Sequence, residues 1–266
     1  MLELQHLSKT FAKGTVNEHT ALDGIDFTLN NGDFVTILGS NGAGKSTLFN
    51  AITGAFWPDH GSVLLDGENI TYLPEYKRAQ KIGILFQDPM KGTAPDMTIA
   101  ENLALAYTRG RRFPLARALQ KRDVDDLRDR LAAFGMGLEN RMKMKVGLLS
   151  GGQRQAMTLL MATVARPKLL LLDEHTAALD PATAEKVLAI TLTIVREQHL
   201  PTMMITHNMQ SALAMGNRTL MMEAGKIILD ISGEERAHLQ VEDLLHLYSG
   251  KQGKMLDNDR MLLSQP

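Results

Sequence analysis

The chain has 266 residues, an apolar fraction of 44% and a formal net charge of −1. That apolar content supports a packed core and excludes a disordered chain, and the near-neutral charge supplies no basic tail or surface for nucleic acid. Cysteine is absent, which excludes a disulfide framework and a thiolate metal site and fits a reducing compartment.

Residues 1–38 alternate apolar and polar side chains (Leu2, Leu4, Leu7, then Ile25, Phe27, Leu29), with turn residues at 23–24 and 30–33. The pattern predicts antiparallel strands. No basic stretch followed by a long apolar one opens the chain, so no signal peptide is read. Phe34 to Leu38 is a short strand running into Gly39, and Lys45 to Thr53 is expected to be helical, ended near Gly54. Ile82 to Phe86, Lys168 to Leu172 and Thr202 to Ile205 read as short buried strands. Between about 90 and 165 the pattern is helical: Thr98–Tyr107, Asp123–Phe134 and Ser150–Ala165. Pro181 to Gln198 has helical spacing, with Asp180 as N-cap and Pro181 at the first helical position. Strands alternating with helices indicate an α/β chain with a mostly parallel sheet, interrupted by a helical subdomain. Apolar runs such as Leu169 to Leu172 fall far short of the ~20 residues of a membrane helix. A soluble chain is expected, reaching any membrane through a partner. Residues 249–266 are expected to form a flexible tail.

Three motifs carry chemistry. Gly39-Ser40-Asn41-Gly42-Ala43-Gly44-Lys45-Ser46-Thr47 lies between a strand and a helix and fits the phosphate-binding loop. Its glycines let backbone N–H groups curl around phosphate oxygens, and the helix start adds a favourable dipole. Lys45 is expected on the β- and γ-phosphates and the Ser46 hydroxyl on Mg²⁺. Leu169 to Leu172 then delivers two acids: Asp173 to hold Mg²⁺, directly or through water, and Glu174 to polarise the attacking water. Ser150-Gly151-Gly152-Gln153 opens a further helix, with Ser150 as its cap and two glycines that permit close approach to an anion.

The order of these motifs resembles the ATP-binding subunit of ABC transporters, over roughly residues 1–248. The matching pattern includes Gln87 after Ile84-Leu85-Phe86, Leu149 to Gln153, Ala178-Leu179-Asp180, and His207 after Met204-Ile205-Thr206. The resemblance implies a P-loop NTPase core, an N-terminal antiparallel β subdomain, a helical subdomain inserted at about 90–165, and ATP and Mg²⁺ as ligands. It implies that Gln87 senses Mg²⁺ or the attacking water and that His207 contacts the γ-phosphate. Phe11 resembles the aromatic that stacks on adenine, although an early Phe in a strand also reads as core. It further implies a homodimer on ATP binding, in which Ser150, Gly151, Gly152 and Gln153 of one copy face the nucleotide of the other, with Asp180 at the crossing.

The loop after Gln87 (Asp88 to Met97) and the helical subdomain would by the same resemblance receive an integral-membrane permease. That places the chain on the cytoplasmic face of the inner or plasma membrane. A separate chain of this kind is typical of uptake systems, which carry a solute-binding protein as well. The Glu-His-Thr-Ala-Ala-Leu-Asp variant looks like ATPases proposed to serve small organic solutes such as aromatic amino acids. The alternative is a related ATPase driving a mechanical membrane complex. A DNA- or ribosome-acting relative is disfavoured by the absence of long heptads, the single cassette and the low charge. Arg109, Arg111, Arg112, Arg117, Lys121 and Arg122 read either as a solvated face or as a surface for lipid or partner. One departure is His175, where the family commonly has proline. It reads as simple variation, or as a charge beside Glu174 that brings pH sensitivity.

Overall fold

The computed structural model describes residues 1–109 and 120–252, with side chains through Tyr248. Arg111, Arg112, Arg117 and the chain beyond Gln252 lie outside the described residues. In chain order the strands are β1 (Leu2–Phe11), β2 (His19–Leu29), β3 (Phe34–Gly39), β4 (His60–Leu65), β5 (Glu68–Asn69), β6 (Ile82–Leu85), β7 (Leu169–Asp173), β8 (Thr202–Ile205), β9 (Arg218–Glu223) and β10 (Lys226–Ser232). The helices are α1 (Lys45–Thr53), α2 (Glu75–Arg78), α3 (Ile99–Tyr107), α4 (Lys121–Ala132), α5 (Gly151–Thr163), α6 (Pro181–Gln198), α7 (Met209–Met215), α8 (Gly233–Ala237) and α9 (Val241–Gln252). They fall into two compact units: Met1–Arg78 with the chain from His199 onward, and Ala79–Gln198.

The first unit holds two sheets. β1 pairs antiparallel with β2 and with β4, so Leu2, Leu4 and Leu7 meet Leu29, Phe27, Ile25, Leu65 and Val63 in one buried layer. In the second sheet β3 lies between β8 and β9, parallel to both, and β10 returns antiparallel along β9. β3 is buried along its whole length, which is why it reads as a continuous apolar run rather than an alternating one. Leu38, Met221 and Ile231 of this sheet pack on Met209 and Ala212 of α7 and on Leu244 and Tyr248 of α9.

The second unit is built on the parallel pair β6–β7, in register from Ile82↔Leu169 to Leu85↔Leu172. Around it lie α3 to α6. Gly83 lets β6 approach the Ala162 carbonyl of α5. α1 and α6 match the sequence expectation, and the ends of α3, α4 and α5 differ from it by one to two residues. Thr98 and Ser150 are N-caps rather than helical residues, and α4 runs Lys121–Ala132 rather than 123–134. α9 continues to Gln252, past the expected tail boundary at 248. None of the described helices is long and apolar enough to cross a membrane.

Candidate functional site

The first unit carries the phosphate loop. β3 ends at Gly39, and the chain turns tightly, with the Ala43 N–H donating to the Ser40 carbonyl. Gly44 precedes α1 in the left-handed region (φ 101°), and a Cβ there would collide with the Ala21 carbonyl of β2. The loop is braced from two further sides. The Gly225 N–H donates to the Ala43 carbonyl, and the Ser40 hydroxyl donates to Glu223, whose same oxygen accepts from Tyr248 of α9. Lys45 is buried and its ammonium donates to the carbonyls of Gly39 (2.7 Å) and Ser40 (2.9 Å). Asn41, Gly42 and Ser46 are exposed and Thr47 is half-buried.

The start of α1 fits an anionic ligand. It has no side-chain cap and no acid in its first turn. The first N–H groups of a helix have no intrahelical acceptor and carry the positive end of its dipole. With Lys45 beside them, they present donors and charge to phosphate. The far end of α1 is closed by a residue that the sequence reading passed over. Arg78 is buried and donates to the carbonyls of Ala51, Ile52, Thr71 and Leu73, while burial lowers its pKa. A cation at a helix C-terminus is favourable. His207 follows β8, and the Thr206 N–H donates to the Ile37 carbonyl. Ile37 pairs with Ile205, so Gly39 and His207 leave adjacent strands at the same edge.

Phe11 closes β1 and is 40% exposed, so it is not the core residue that its strand position permits. Its ring meets Phe56 edge to face, with centroids 5.4 Å apart.

In the second unit Asp173 ends β7, and Glu174 follows with a left-handed backbone (φ 44°). A non-glycine residue held there is strained, and such strain gathers at functional sites. Gln87, two residues beyond β6, donates from Nε2 to Glu174 Oε2 at 3.3 Å, so these two polar residues meet as the register of β6 and β7 implies. His175 is buried and lies 3.4 Å from the Thr191 hydroxyl of α6. Burial lowers its pKa to about 4. The ring is therefore neutral near pH 7, and the idea that it brings a charge to Glu174 is corrected: burial strips water from the imidazolium and so disfavours the charged form.

The Ser150 motif begins α5 with a reciprocal capping box. The Gln153 N–H donates to Ser150 Oγ and the Ser150 N–H to Gln153 Oε1, both at 3.3 Å. Arg154, which the sequence reading also missed, donates to the carbonyls of Val146, Gly147 and Leu149 and so fixes the approach to Ser150. Gly151 permits ordinary contact with Leu179, whereas a Cβ on Gly152 would strike the Thr183 methyl of α6. Asp180 caps α6 through the Thr183 hydroxyl and N–H, which hold its carboxyl below the usual range. Of the basic residues, Arg109 is half-buried, and Lys121 and Arg122 are exposed at the start of α4.

Comparison with known proteins shows the family. The family model described as ABC transporter matches residues 22–177, more than half of the chain. The tyrosine transport ATP-binding protein of Clostridioides difficile is 42% identical over 248 residues, covering 93% of this chain and 98% of that one. The methionine import ATP-binding protein MetN 2 of Enterococcus faecalis is 36% identical, over 86% of this chain and 64% of that one. Among solved structures, a dimeric post-hydrolysis state of the ATP-binding cassette MJ0796 bound to ADP and Pi superposes with a TM-score of 0.74. It is 27% identical and covers 87% of this chain and 98% of that chain. With its phosphate loop, its paired acids and these relatives, the chain belongs to the ABC transporter family, as an ATP-binding and ATP-hydrolysing subunit that powers transport.

Proposed function

We propose that two copies of this chain close head to tail around ATP and drive uptake of a small organic solute through a separate membrane permease. The observation that carries the nucleotide part is the start of α1, uncapped and free of acids, with the Lys45 ammonium folded against the loop carbonyls. In this reading the N–H groups of Gly39 to Thr47 cradle phosphate, Lys45 exchanges its carbonyl partners for β- and γ-phosphate oxygens, and Phe11 stacks on adenine.

Ser46, Asp173 and Gln87 are the proposed protein ligands of Mg²⁺. All three offer oxygen, as this ion requires. The described residues contain no cluster of three or more acids, histidines or cysteines suited to a metal. When bound, the ion neutralises charge on the β,γ-phosphate oxygens. Glu174 accepts a proton from the attacking water, Gln87 orients that carboxylate, and His207 holds the γ-phosphate side. Ser150, Gly151, Gly152 and Gln153 serve the nucleotide of the second copy, with Asp180 at the crossing. Such an interface is isologous and makes two equivalent sites.

The relative named for tyrosine transport supports an aromatic amino acid or similar solute, delivered by a solute-binding protein. Met90, Leu105 and Leu148 expose apolar side chains in the second unit that a permease's cytoplasmic helix would cover. That assembly puts the chain on the cytoplasmic face of the inner or plasma membrane.

The test uses Glu174→Gln. Turnover is expected to fall about 10²–10⁴-fold, the usual scale for a general base, with ATP binding retained and an ATP-dependent dimer seen by sedimentation. Normal turnover removes Glu174 from the role. Purification of the tagged variant with ATP from native membranes is expected to bring a multi-span permease. Its absence overturns the transport assembly.

A further inference from the structure

We propose that Phe56, Lys9 and Asp59 form the frame that holds the Phe11 ring in its base-stacking orientation, which makes Phe56 and Lys9 positioning residues for nucleobase binding. The inference rests on the reading of Phe11 as the side chain that stacks on the base.

An exposed benzyl side chain at a strand end ordinarily exchanges rotamers within nanoseconds. Phe11 is restrained on several sides. Its backbone pairs with His19 across the hairpin, and the chain turns away at once through the left-handed Ala12 (φ 51°). Its ring meets Phe56 at an interplanar angle of 85°, the edge-to-face arrangement that aromatic quadrupoles favour. The Lys9 ammonium lies 5.6 Å from the Phe11 centroid and 5.4 Å from that of Phe56, within cation–π range of both rings.

That ammonium is itself fixed. It donates to the Trp57 carbonyl at 3.0 Å and to Asp59 Oδ1 at 3.2 Å. The other oxygen of Asp59 accepts from the Thr10 N–H at 2.8 Å and pairs with Lys13 at 3.2 Å. The Thr10 N–H first, and the two lysines after it, hold the Asp59 carboxyl down to about 2. It stays ionised across the working range and anchors Lys9 throughout.

The strand beside the frame also touches the phosphate loop. β2, the partner strand of β1, places its Ala21 carbonyl against Gly44, where any side chain would collide. Phe56 follows the C-cap of α1 by two residues. The ring and the phosphate cradle are thus parts of one unit, and a ring already oriented loses less freedom when a base stacks on it.

The test compares ATP with inorganic tripolyphosphate, both with Mg²⁺, by calorimetry on the full chain. Tripolyphosphate reads the phosphate loop without a base. Phe11→Ala is expected to weaken ATP about 10-fold and to leave tripolyphosphate unchanged. Phe56→Leu is expected to weaken ATP alone by about 3- to 10-fold, and Lys9→Met by about 2- to 5-fold. Phe56→Tyr keeps the ring and is expected to restore the wild-type value. Unchanged ATP affinity in Phe11→Ala sinks the reading of Phe11 itself. Loss in Phe11→Ala with wild-type ATP affinity in Phe56→Leu and Lys9→Met sinks only the frame. Equal loss of tripolyphosphate in Phe56→Leu marks a general disturbance of the fold and overturns the positioning role.

Discussion

α1 follows a serine- and glycine-rich loop and α5 opens on Ser150-Gly151-Gly152, yet their first turns are finished differently. At α1 there is no side-chain cap and no acid. The N–H groups that a helix cannot satisfy internally stay available to a ligand. At α5 the chain satisfies its own start, through Ser150 and Gln153. The glycines differ as well. Gly44 makes room for the Ala21 carbonyl in a left-handed turn, whereas Gly152 makes room for the Thr183 methyl between two helices. Similar residue types thus build a receptive anion cradle in one unit and a rigid, self-capped edge in the other. The presence or absence of a cap, rather than glycine content, separates them.

The largest expected effect breaks the comparison at its receptive side. Lys45→Ala removes the one buried ammonium of the loop, which makes charge-assisted bonds that are about twice as strong as neutral ones. ATP affinity is expected to fall by about 10²-fold or more in a titration of the single chain. Wild-type affinity would remove the phosphate loop from the nucleotide site.

Much of this was readable in the sequence, because punctuation is chemical. α1 and α6 fall where expected, the first stopped by Gly54 and the second started by Asp180 and Pro181. β8 also falls on its expected residues. What escaped was set by distant partners. β4 is a strand because Leu65 pairs with Leu2, although the Asp66-Gly67 turn that follows it was a hairpin signal in plain view. The β9–β10 hairpin turns at Ala224-Gly225, both with positive φ, and alanine is an uncommon choice there. The placement of α7 and α9 rests on the core they share with these strands. Arg78, Arg154 and Lys9 belong to no motif. Their work is done on backbone carbonyls and rings that no local pattern reveals. The motif residues of the site were legible one by one; the Gln87–Glu174 contact and the neutral state of His175 needed the fold.

His175 sharpens the contrast within the second unit, since it is a buried titratable group next in sequence to Glu174, the proposed general base. Its folded pKa is depressed from 6.5 to about 4 by burial. Between those values the unfolded chain binds a proton that the folded chain refuses. Stability therefore falls as pH drops from 6.5 towards 4, and the residue contributes no pH dependence above 6.5. The full effect is about 3 kcal/mol. Denaturant unfolding of wild type and His175→Asn across this range is expected to diverge by that order at the acid end. The ATPase profile of His175→Pro above pH 6.5 is expected to match wild type in shape. A shifted profile would reinstate His175 as a charge near Glu174.

A smaller effect tests the packing side. Gly152→Ala places a methyl into Thr183, and overpacking of this kind costs about 1–3 kcal/mol. Thr183→Ser removes the opposing methyl and keeps the hydroxyl. The double variant is expected to regain most of the lost stability, read as the unfolding midpoint. Additive losses would mean that Gly152 is needed for something other than its neighbour.

Ser150→Ala gives the smallest change in stability and the clearest separation of roles. Losing the cap is expected to cost about 1 kcal/mol, because one N–H of the first turn of α5 loses its acceptor. The phosphate loop is not part of that cap, so the affinity of the single chain for ATP is expected to stay at the wild-type value. Turnover at saturating ATP separates the two roles. If Ser150 serves only as a cap, turnover falls no further than the small loss of folded protein, and Ser150→Asp, also a good cap, restores it. If its hydroxyl also faces the γ-phosphate held by a second copy, Ser150→Asp caps the helix but sets a negative charge against the phosphate. Turnover then drops below that of the alanine variant while the unfolding midpoint recovers. Opposite movements of midpoint and turnover in Ser150→Asp would show that this self-capped helix start also meets a nucleotide.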